Sequence, residues 1–283
     1  MPVAAEWNEN DTLAVGYDGS EQSQVAIRWA AEHAAAEHLK LRVIHAWIWP
    51  MFTKSVGPVK GVAGSGLRHS AEAILQEGID LAHEVSSGLA VEGVFEGGLP
   101  AQVLRDATKD ARLLVVGHRG IGGFVGQLAG SVCLDLSGHS PCPLLVVRYP
   151  HRRGQPVVAA LAGAPRSESV LADAIRMAHA LHTSLVLVHV EVENGHHHEP
   201  HGRHVPLHGQ EMLDHAVDRA REMAADIAVS GVLRKGHPIS RELVEASADA
   251  DLLVLGAHRR EGGPGRTVSA LLPRALCNVM ISR

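Results

Sequence analysis

Apolar residues occur along the chain in short runs, separated by longer segments in which apolar positions repeat with a helical period. In the first half these runs are Leu13–Tyr17, Leu41–Ala46, Leu89–Phe95, Leu113–Val116 and Leu144–Val147. Nearly continuous apolar runs are typical of strands that are covered on both faces by helices, as in parallel sheets. The pattern predicts alternating strands and helices, and therefore a doubly wound α/β fold with helices on both faces of the sheet.

Two of the intervening segments show how the helices begin and which face they bury. The segment after the first run has apolar residues at the spacing i, i+3, i+4 and i+7, namely Ile27, Ala30, Ala31 and Ala34. This spacing predicts a helix with one face packed on the sheet. A later helix is predicted to begin at Pro100, because proline is favoured in the first turn.

The pattern occurs twice, which indicates a tandem duplication. Leu41–Ala46 returns as Leu185–Val190 at an offset of 144, and Asp110–Gly117 returns as Asp249–Gly256 at an offset of 139. The second copy is therefore shorter between its second and fourth strands. A length of 283 residues also fits two domains of about 150 residues each. The predicted division is a domain at residues 1–149, a linker at 150–155 and a domain at 156–283.

Charge and cysteine content narrow the class of protein. The formal charge is −5 and no stretch clusters basic residues, so nucleic acid is not an expected partner. Residues 1–10 lack the basic and apolar regions of a secretory signal, and no apolar run has the length of a membrane span. Three cysteines without CxxC spacing fit reduced thiols. We therefore expect a cytoplasmic protein without a membrane partner.

Candidate chemistry lies where two predicted strands end, because ligands of doubly wound sheets bind beyond the carboxyl ends of the strands. The first strand leads into Asp18, whose carboxylate can accept hydrogen bonds from a ribose or an adenine amine. The fourth leads into a loop with six glycines between Gly117 and Gly130. Ser131 begins the next helix, whose free N–H groups favour an anion. The sequence therefore predicts a polyphosphate-binding loop.

Two simpler interpretations stay open at this point, namely that the glycines form a flexible turn and that Asp18 is a helix cap. The loop lacks the G-K-[ST] of P-loop hydrolases, and no G-x-G-x-x-G opens the first strand–helix turn as in Rossmann dehydrogenases. His118 and Arg119 lie in the loop within reach of a phosphate, but the sequence shows no general-base partner for either.

These residues resemble the universal stress protein family, whose nucleotide-binding members carry G-x2-G-x9-G-[ST]. The motif is matched in full by Gly117, Gly120, Gly130 and Ser131. Further resemblance lies in Val15–Ser20, in His45-Ala46 and in Ser140–Arg148. The resemblance implies two tandem domains, each a five-stranded parallel sheet in the order 3-2-1-4-5, with ATP held between the first and fourth strands.

The resemblance also implies the ligand contacts. Asp18 and the backbone of Ala46 are expected to meet adenosine, with Gly16 beneath the ligand. The residues expected along the phosphates are Gly117, Gly120, Gly122 and Gly123, followed at the terminal phosphates by Gly130, Ser131 and Val132. The implied cofactor is ATP, with or without magnesium, and neither a catalytic residue nor a metal ligand is identified.

The second copy departs from this pattern. An offset of 144 places Ala162 at the position of Asp18, so the carboxylate is absent. The alignment puts Arg259 and Arg266 at the second and third motif glycines, in a shorter loop. Arginines can contact phosphate, but loss of the carboxylate and of both glycines favours a degenerate nucleotide site. We expect the second domain to support the first and a dimer interface.

Histidines are numerous, and six of them crowd one predicted loop: His196, His197, His198, His201, His204 and His208. The alternatives are a metal-binding loop and a solvated one. No cysteine or carboxylate arrangement completes a ligand set, so specific metal binding is not predicted. His45 and His189 end apolar strands and are expected to be hydrogen-bonded core groups.

The function expected from these observations is that of a stress-response regulator rather than an enzyme. ATP would order the glycine loop and shift the conformation or the homodimerisation that a regulatory protein partner reads. Two alternatives remain open. One is a slow ATP hydrolase on the same site, and the other is an interaction scaffold that binds no nucleotide.

Overall fold

A computed structural model describes residues 11–47, 65–120, 129–162, 167–192, 209–257 and 263–283. These residues divide into two compact units, the first made of residues 11–120 and 130–150 and the second of residues from 151 onward. Each unit is an α/β layer with five parallel strands. The predicted fold class is confirmed.

The first unit contains a doubly wound sheet in the expected order. Its strands are β1 Thr12–Gly16, β2 Lys40–Trp47, β3 Val91–Gly97, β4 Leu113–Gly117 and β5 Leu144–Val147. They follow one another as β3-β2-β1-β4-β5, and Val15 of β1 pairs with Val43 of β2 and Val115 of β4. β2 and β3 lie on one side of β1, and β4 and β5 lie on the other, so the direction in which strands are added reverses between β1 and β4. At such a reversal the chain leaves the two neighbouring strands towards opposite faces of the sheet.

Helices cover both faces of this sheet. They are α1 Glu21–Ala36, α2 Ser65–Val85, α3 Pro100–Asp106 and α4 Ser131–His139. A Cβ on Gly93 of β3 would touch Ile79 of α2, whereas a Cβ on Gly16 of β1 would touch Leu104 of α3. The register places these two glycines on opposite faces, so α2 and α3 lie on opposite sides.

The predicted details of these helices agree with the structure. The stripe on α1 is fully buried at Ile27, Ala30, Ala31 and Ala34, each with 0% exposure. Helix α3 begins at Pro100. Among the described residues, we find no helix that combines the length and the apolar character needed to cross a membrane.

The second unit repeats the first element by element. Its strands are β6 Val157–Leu161, β7 Leu185–Glu191, β8 Val229–Lys235, β9 Leu252–Gly256 and β10 Asn278–Ser282. They are arranged as β8-β7-β6-β9-β10, which is again the order 3-2-1-4-5. Its helices are α5 Glu168–Ala180, α6 Gly209–Met223, α7 Ile239–Ala246 and α8 Arg266–Leu271.

The structure narrows the position of the deletion in the second copy. Leu13 pairs with Leu41 in the first unit and Val157 with Leu185 in the second, which preserves the offset of 144. Beyond the next helix the offset is 138, since the glycine of β3 that packs on α2, Gly93, corresponds to Gly231 of β8 on α6. The stretch between strand and helix is 17 residues long in both copies, and the six-residue difference appears as a shorter helix, since α6 has 15 residues and α2 has 21.

The start of the second unit is fixed to its own sheet by a buried carboxylate. Asp251 is 1% exposed and precedes β9 directly. Its Oδ1 accepts a hydrogen bond from the backbone N–H of Arg152 at 2.6 Å, and its Oδ2 contacts Nδ1 of His151. The residues at the predicted linker thus contact the second unit through Asp251.

Candidate functional site

Asp18 lies two residues beyond β1, and local hydrogen bonds hold its carboxylate in place. Its Oδ1 accepts from the backbone N–H of Ser20 at 3.0 Å and from the Ser20 hydroxyl at 2.6 Å. Ser20 is the N-cap of α1, and its Oγ accepts from the N–H of Ser23 at 3.2 Å. Asp18 is therefore not the cap itself. It orients the residue that caps the helix, and it does so through Oδ1.

The Oδ2 side of this carboxylate faces the glycine loop at Gly120. A Cβ built on Gly120 would overlap Oδ2 of Asp18, so any side chain at that position would have to displace this carboxylate. The residue after β1 and the residues after β4 therefore meet in the crevice where the strand order reverses. The sequence predicted both features separately, and the structure brings them together.

Gly117 and Gly16 have explanations in packing. A Cβ on Gly117 would lie 2.7 Å from the backbone carbonyl carbon and oxygen of Gln22, so the end of β4 closely approaches the first turn of α1. A Cβ on Gly16 would lie 3.1 Å from a methyl group of Leu104, because α3 fills that side of the strand. The expectation that these two glycines also lie against a ligand stays a prediction.

The first turn of α4 is anchored to the same loop. Gly130 is the N-cap, and its N–H donates to the carbonyl of His118 at 3.0 Å. In the first turn, the thiol of Cys133 donates to the carbonyl of Gly117 at 3.0 Å. Ser131 begins the helix, as predicted, and Val132 follows it. The N–H groups of this first turn have no acceptor within the helix and are oriented for an anion.

Ala46 lies on β2 beyond the end of β1. The β1 register ends with Gly16 opposite Ile44, and the carbonyl of Ile44 accepts from the N–H of Tyr17 at 2.9 Å. Backbone groups point to the same side of a strand at every second residue. The backbone N–H and C=O of Ala46 therefore point to the same side as those of Ile44, into the space beyond the end of β1 and beside Asp18. This geometry fits the edge of a base.

Of the ten predicted site residues, Gly122 and Gly123 lie outside the described residues. The structure places six of the others around one crevice, formed by the loops after β1 and β4 and the start of α4: Asp18, Gly117, Gly120, Gly130, Ser131 and Val132. Ala46 borders it at β2, and Gly16 lies below it at the end of β1.

Two titratable groups beside the crevice, His118 and Cys133, are neutral at physiological pH. Burial, with added repulsion from Arg148 and Arg119, lowers the pKa of His118 to about 4. Its Nδ1 is buried and has no hydrogen-bond partner among the described residues. Burial raises the pKa of the Cys133 thiol to about 12. Neither group is tuned for proton transfer at pH 7.

Sequence reasoning did not assign a role to Arg148. It follows β5 directly, and the residue before it, Val147, accepts a hydrogen bond from the N–H of His118 at 3.0 Å. Arg148 thus lies beside the loop although 28 residues separate it from Gly120 in the sequence. The predicted strand order 3-2-1-4-5 contained the signal, since it places the ends of β4 and β5 next to each other.

The corresponding crevice of the second unit keeps the backbone geometry without the carboxylate. The N–H of Ala162 donates to Oγ of Ser167 at 3.1 Å, just as the N–H of Asp18 donates to Oγ of Ser23 at 3.4 Å. The N–H of Ala257 donates to the carbonyl of Ser282 at 3.0 Å, as that of His118 does to Val147.

The predicted alignment of Arg266 with the third motif glycine is wrong. Gly265 is the N-cap of α8, with φ −59° and ψ 153°, close to the −61° and 149° of Gly130. Arg266 takes the place of Ser131. The stretch from Gly256 to Gly265 is four residues shorter than that from Gly117 to Gly130, whereas the sequence alignment allowed for only three and so fell one residue past the cap. Arg259 lies outside the described residues.

The histidines give no metal site in the described part of the chain, where no group of three or more histidine, cysteine or acidic side chains is arranged to hold an ion. The six histidines of residues 196–208 lie outside it. His45 and His189 are hydrogen-bonded as expected, with Nδ1 at 2.8 Å from the carbonyl of Tyr17 and at 2.9 Å from that of Leu161, respectively.

Comparison with known proteins identifies the family. The model of the Universal stress protein family matches residues 9–148 and 154–283. The chain belongs to the universal stress protein family. It is a tandem member, since the family model matches it twice and the two matches correspond to the two repeated sheets.

Other universal stress proteins resemble it over nearly their full length. One from Mycobacterium tuberculosis strain H37Rv is 28% identical over 279 residues, which cover 93% of this chain and 92% of the relative. The crystal structure of one from Archaeoglobus fulgidus covers 98% of this chain and 99% of its own, with a TM-score of 0.72 and 16% identity, and supports the fold. A solved universal stress protein in complex with cAMP is 29% identical and covers 49% of this chain and 97% of its own, with a TM-score of 0.39.

Proposed function

We propose that the first unit of this universal stress protein binds ATP in the crevice between β1 and β4. The observation that carries the proposal is the contact of Asp18 Oδ2 with Gly120, which unites the carboxylate and the glycine motif in one site. In the second unit, Ala162 stands at the position of Asp18, and we propose that this unit has lost nucleotide binding.

Each part of the crevice suits one part of the nucleotide. The carboxylate of Asp18 is a hydrogen-bond acceptor for the ribose hydroxyls, and its Oδ1 contact with Ser20 holds it in position. The backbone groups of Ala46 are available to the edge of adenine. The N–H groups at the start of α4, behind the N-cap Gly130, would bind phosphate oxygens at the positive end of the helix dipole.

Binding fits this crevice better than turnover. Hydrolysis needs a group that positions or deprotonates the attacking water. His118, with a pKa of about 4, is a weak base at pH 7, and its buried Nδ1 has no hydrogen-bond partner among the described residues. We therefore propose a regulatory role, in which ATP stabilises one conformation or a homodimer that a protein partner recognises.

A thermal-unfolding titration with ATP tests the site. The test variant is Asp18→Asn, which keeps the side-chain shape. The control is Asp106→Asn, because Asp106 is an exposed carboxylate whose salt bridge is to Lys109, three residues further along the chain. At 100 times the dissociation constant, ATP should stabilise the wild type by about 2.7 kcal/mol. We expect the same shift in Asp106→Asn and a much smaller one in Asp18→Asn. Equal shifts in all three proteins would contradict the proposed site.

A further inference from the structure

Arg148 is a charged side chain beside the crevice, and the proposed function assigns no role to it. Arg148 follows β5 directly, and the residue before it, Val147, pairs with Gly117 of β4. The Cα of Arg148 therefore lies next to the start of the glycine loop. The hydrogen bond from His118 N–H to Val147 fixes this neighbourhood at 3.0 Å. Arg148 is half-buried. A guanidinium keeps its charge even when partly buried, because its ordinary pKa is above 12.

The surroundings of Arg148 include a second arginine, Arg119, and one carboxylate, Asp18, whose charge also acts on the Cys133 thiol. The charge of Arg148 helps to lower the pKa of His118 and also acts on the thiol of Cys133 in the first turn of α4, so its guanidinium lies within reach of both the loop and the helix start. Arg119 adds a second positive charge close to His118. The positive end of α4 points to the same place. Burial is the larger cause of the low pKa of His118, and the part that comes from Arg148 and Arg119 marks a positive potential, which favours an anion.

We propose that Arg148 determines the preference of the site for nucleotides with a phosphate chain over adenosine. Its positive charge stabilises the phosphates that the glycine loop and the first turn of α4 bind, while Asp18 and Ala46 bind the nucleoside. This inference rests on the proposed function, since it assigns a residue to the phosphate side of the same site.

The second unit supplies a matched control. Arg283 follows β10 as Arg148 follows β5, and the N–H of Ala257 donates to Ser282 as that of His118 donates to Val147. The arginine is thus present in both units, but Ala162 replaces Asp18 in the second. If arginine at this position only supports the fold, its replacement will act alike in both units. If Arg148 selects phosphates, its replacement will act on nucleotide affinity and that of Arg283 will not.

The experiment is isothermal titration calorimetry with adenosine, AMP and ATP on the full chain. The variants are Arg148→Met, Arg148→Lys and Arg283→Met. We expect Arg148→Met to lower ATP affinity about tenfold or more, as for the loss of one close charge, and to change adenosine affinity less than about twofold. Arg148→Lys should recover most of the ATP affinity, and Arg283→Met should bind like the wild type.

A second measurement does not depend on ligand binding. In Arg148→Met, the midpoint of the His118 imidazole titration followed by NMR should move up from its value of about 4. An unchanged midpoint would place the guanidinium away from the loop and overturn the inference.

The outcomes separate this inference from the proposed function. If the wild type binds ATP and Arg148→Met weakens adenosine and ATP equally, the site stands and the role of Arg148 as a selector is refuted. If Arg283→Met weakens ATP as much as Arg148→Met, the arginine has a general structural role and the inference fails. If the wild type binds neither ATP nor adenosine, the proposed function is refuted and the inference with it.

Discussion

Gly117, the first glycine of the motif, should stabilise the fold whether or not a nucleotide binds. In Gly117→Ala the new Cβ would lie 2.7 Å from the carbonyl carbon and oxygen of Gln22, where ordinary contacts begin at 3.4 Å. Relief needs a movement of about 0.7 Å between two stretches of backbone. Rotation of a side chain does not relieve this contact.

The cost follows from what holds the start of α1. Ser20 caps the helix through Ser23, and further along the helix Ile27 and Ala30 are fully buried against the sheet. A shift of α1 therefore disturbs both the cap and the core. Overpacking of a tight site costs about 1–3 kcal/mol, and a clash with backbone belongs at the upper end, so we expect about 2–3 kcal/mol. For a unit of this size, that lowers the melting temperature by roughly 4–12 °C.

The assay is thermal and urea unfolding of the full chain without nucleotide, followed by circular dichroism. Gly88→Ala is the matched control, since a Cβ on Gly88 meets nothing within 4 Å. Alanine at an open position that it can adopt without strain is neutral or stabilises by up to about 1 kcal/mol. If Gly117→Ala lies within about 0.5 kcal/mol of Gly88→Ala, the packing explanation of Gly117 is refuted.

Two further predictions concern buried charge. Asp251→Asn should destabilise the second unit by about 1–3 kcal/mol and leave the first unit unchanged in urea unfolding, because a neutral amide has only one acceptor oxygen for the two contacts that the carboxylate oxygens make. His118 should titrate by NMR near pH 4. Since the unfolded imidazole binds its proton near pH 6.5, the unfolded state binds more protons between these values, and His118 makes the first unit less stable as the pH falls through that range. The variant His118→Gln should lose this part of the pH dependence, and an unchanged profile would show that His118 is not buried as described.

The strands and the candidate positions at Asp18 and in the glycine loop could be predicted because each leaves a signal in residue type, whereas the strand order came from the family resemblance. Buried parallel strands are continuously apolar, and glycines collect where backbone closely approaches another group. The contact of Asp18 with Gly120 could be expected in outline, because both follow strands that are neighbours in the order 3-2-1-4-5.

Other features left no such signal. Ala46 contributes only backbone groups, so its side chain says nothing about its role, and the resemblance alone pointed to it. Arg148 lies far along the chain from the loop, and only the sheet brings them together. The position of Gly265 was misjudged because several glycines and arginines follow β9, and the residue that caps α8 is decided by backbone conformation rather than by residue type.

Equilibrium dialysis of the full chain against labelled ATP tests the central claim most directly, because it counts sites. The account predicts one ATP per chain for the wild type and none for Asp18→Asn. Two ATP molecules per chain would contradict the loss of binding in the second unit. Binding that persists in Asp18→Asn, or its absence from the wild type, would contradict the site between β1 and β4.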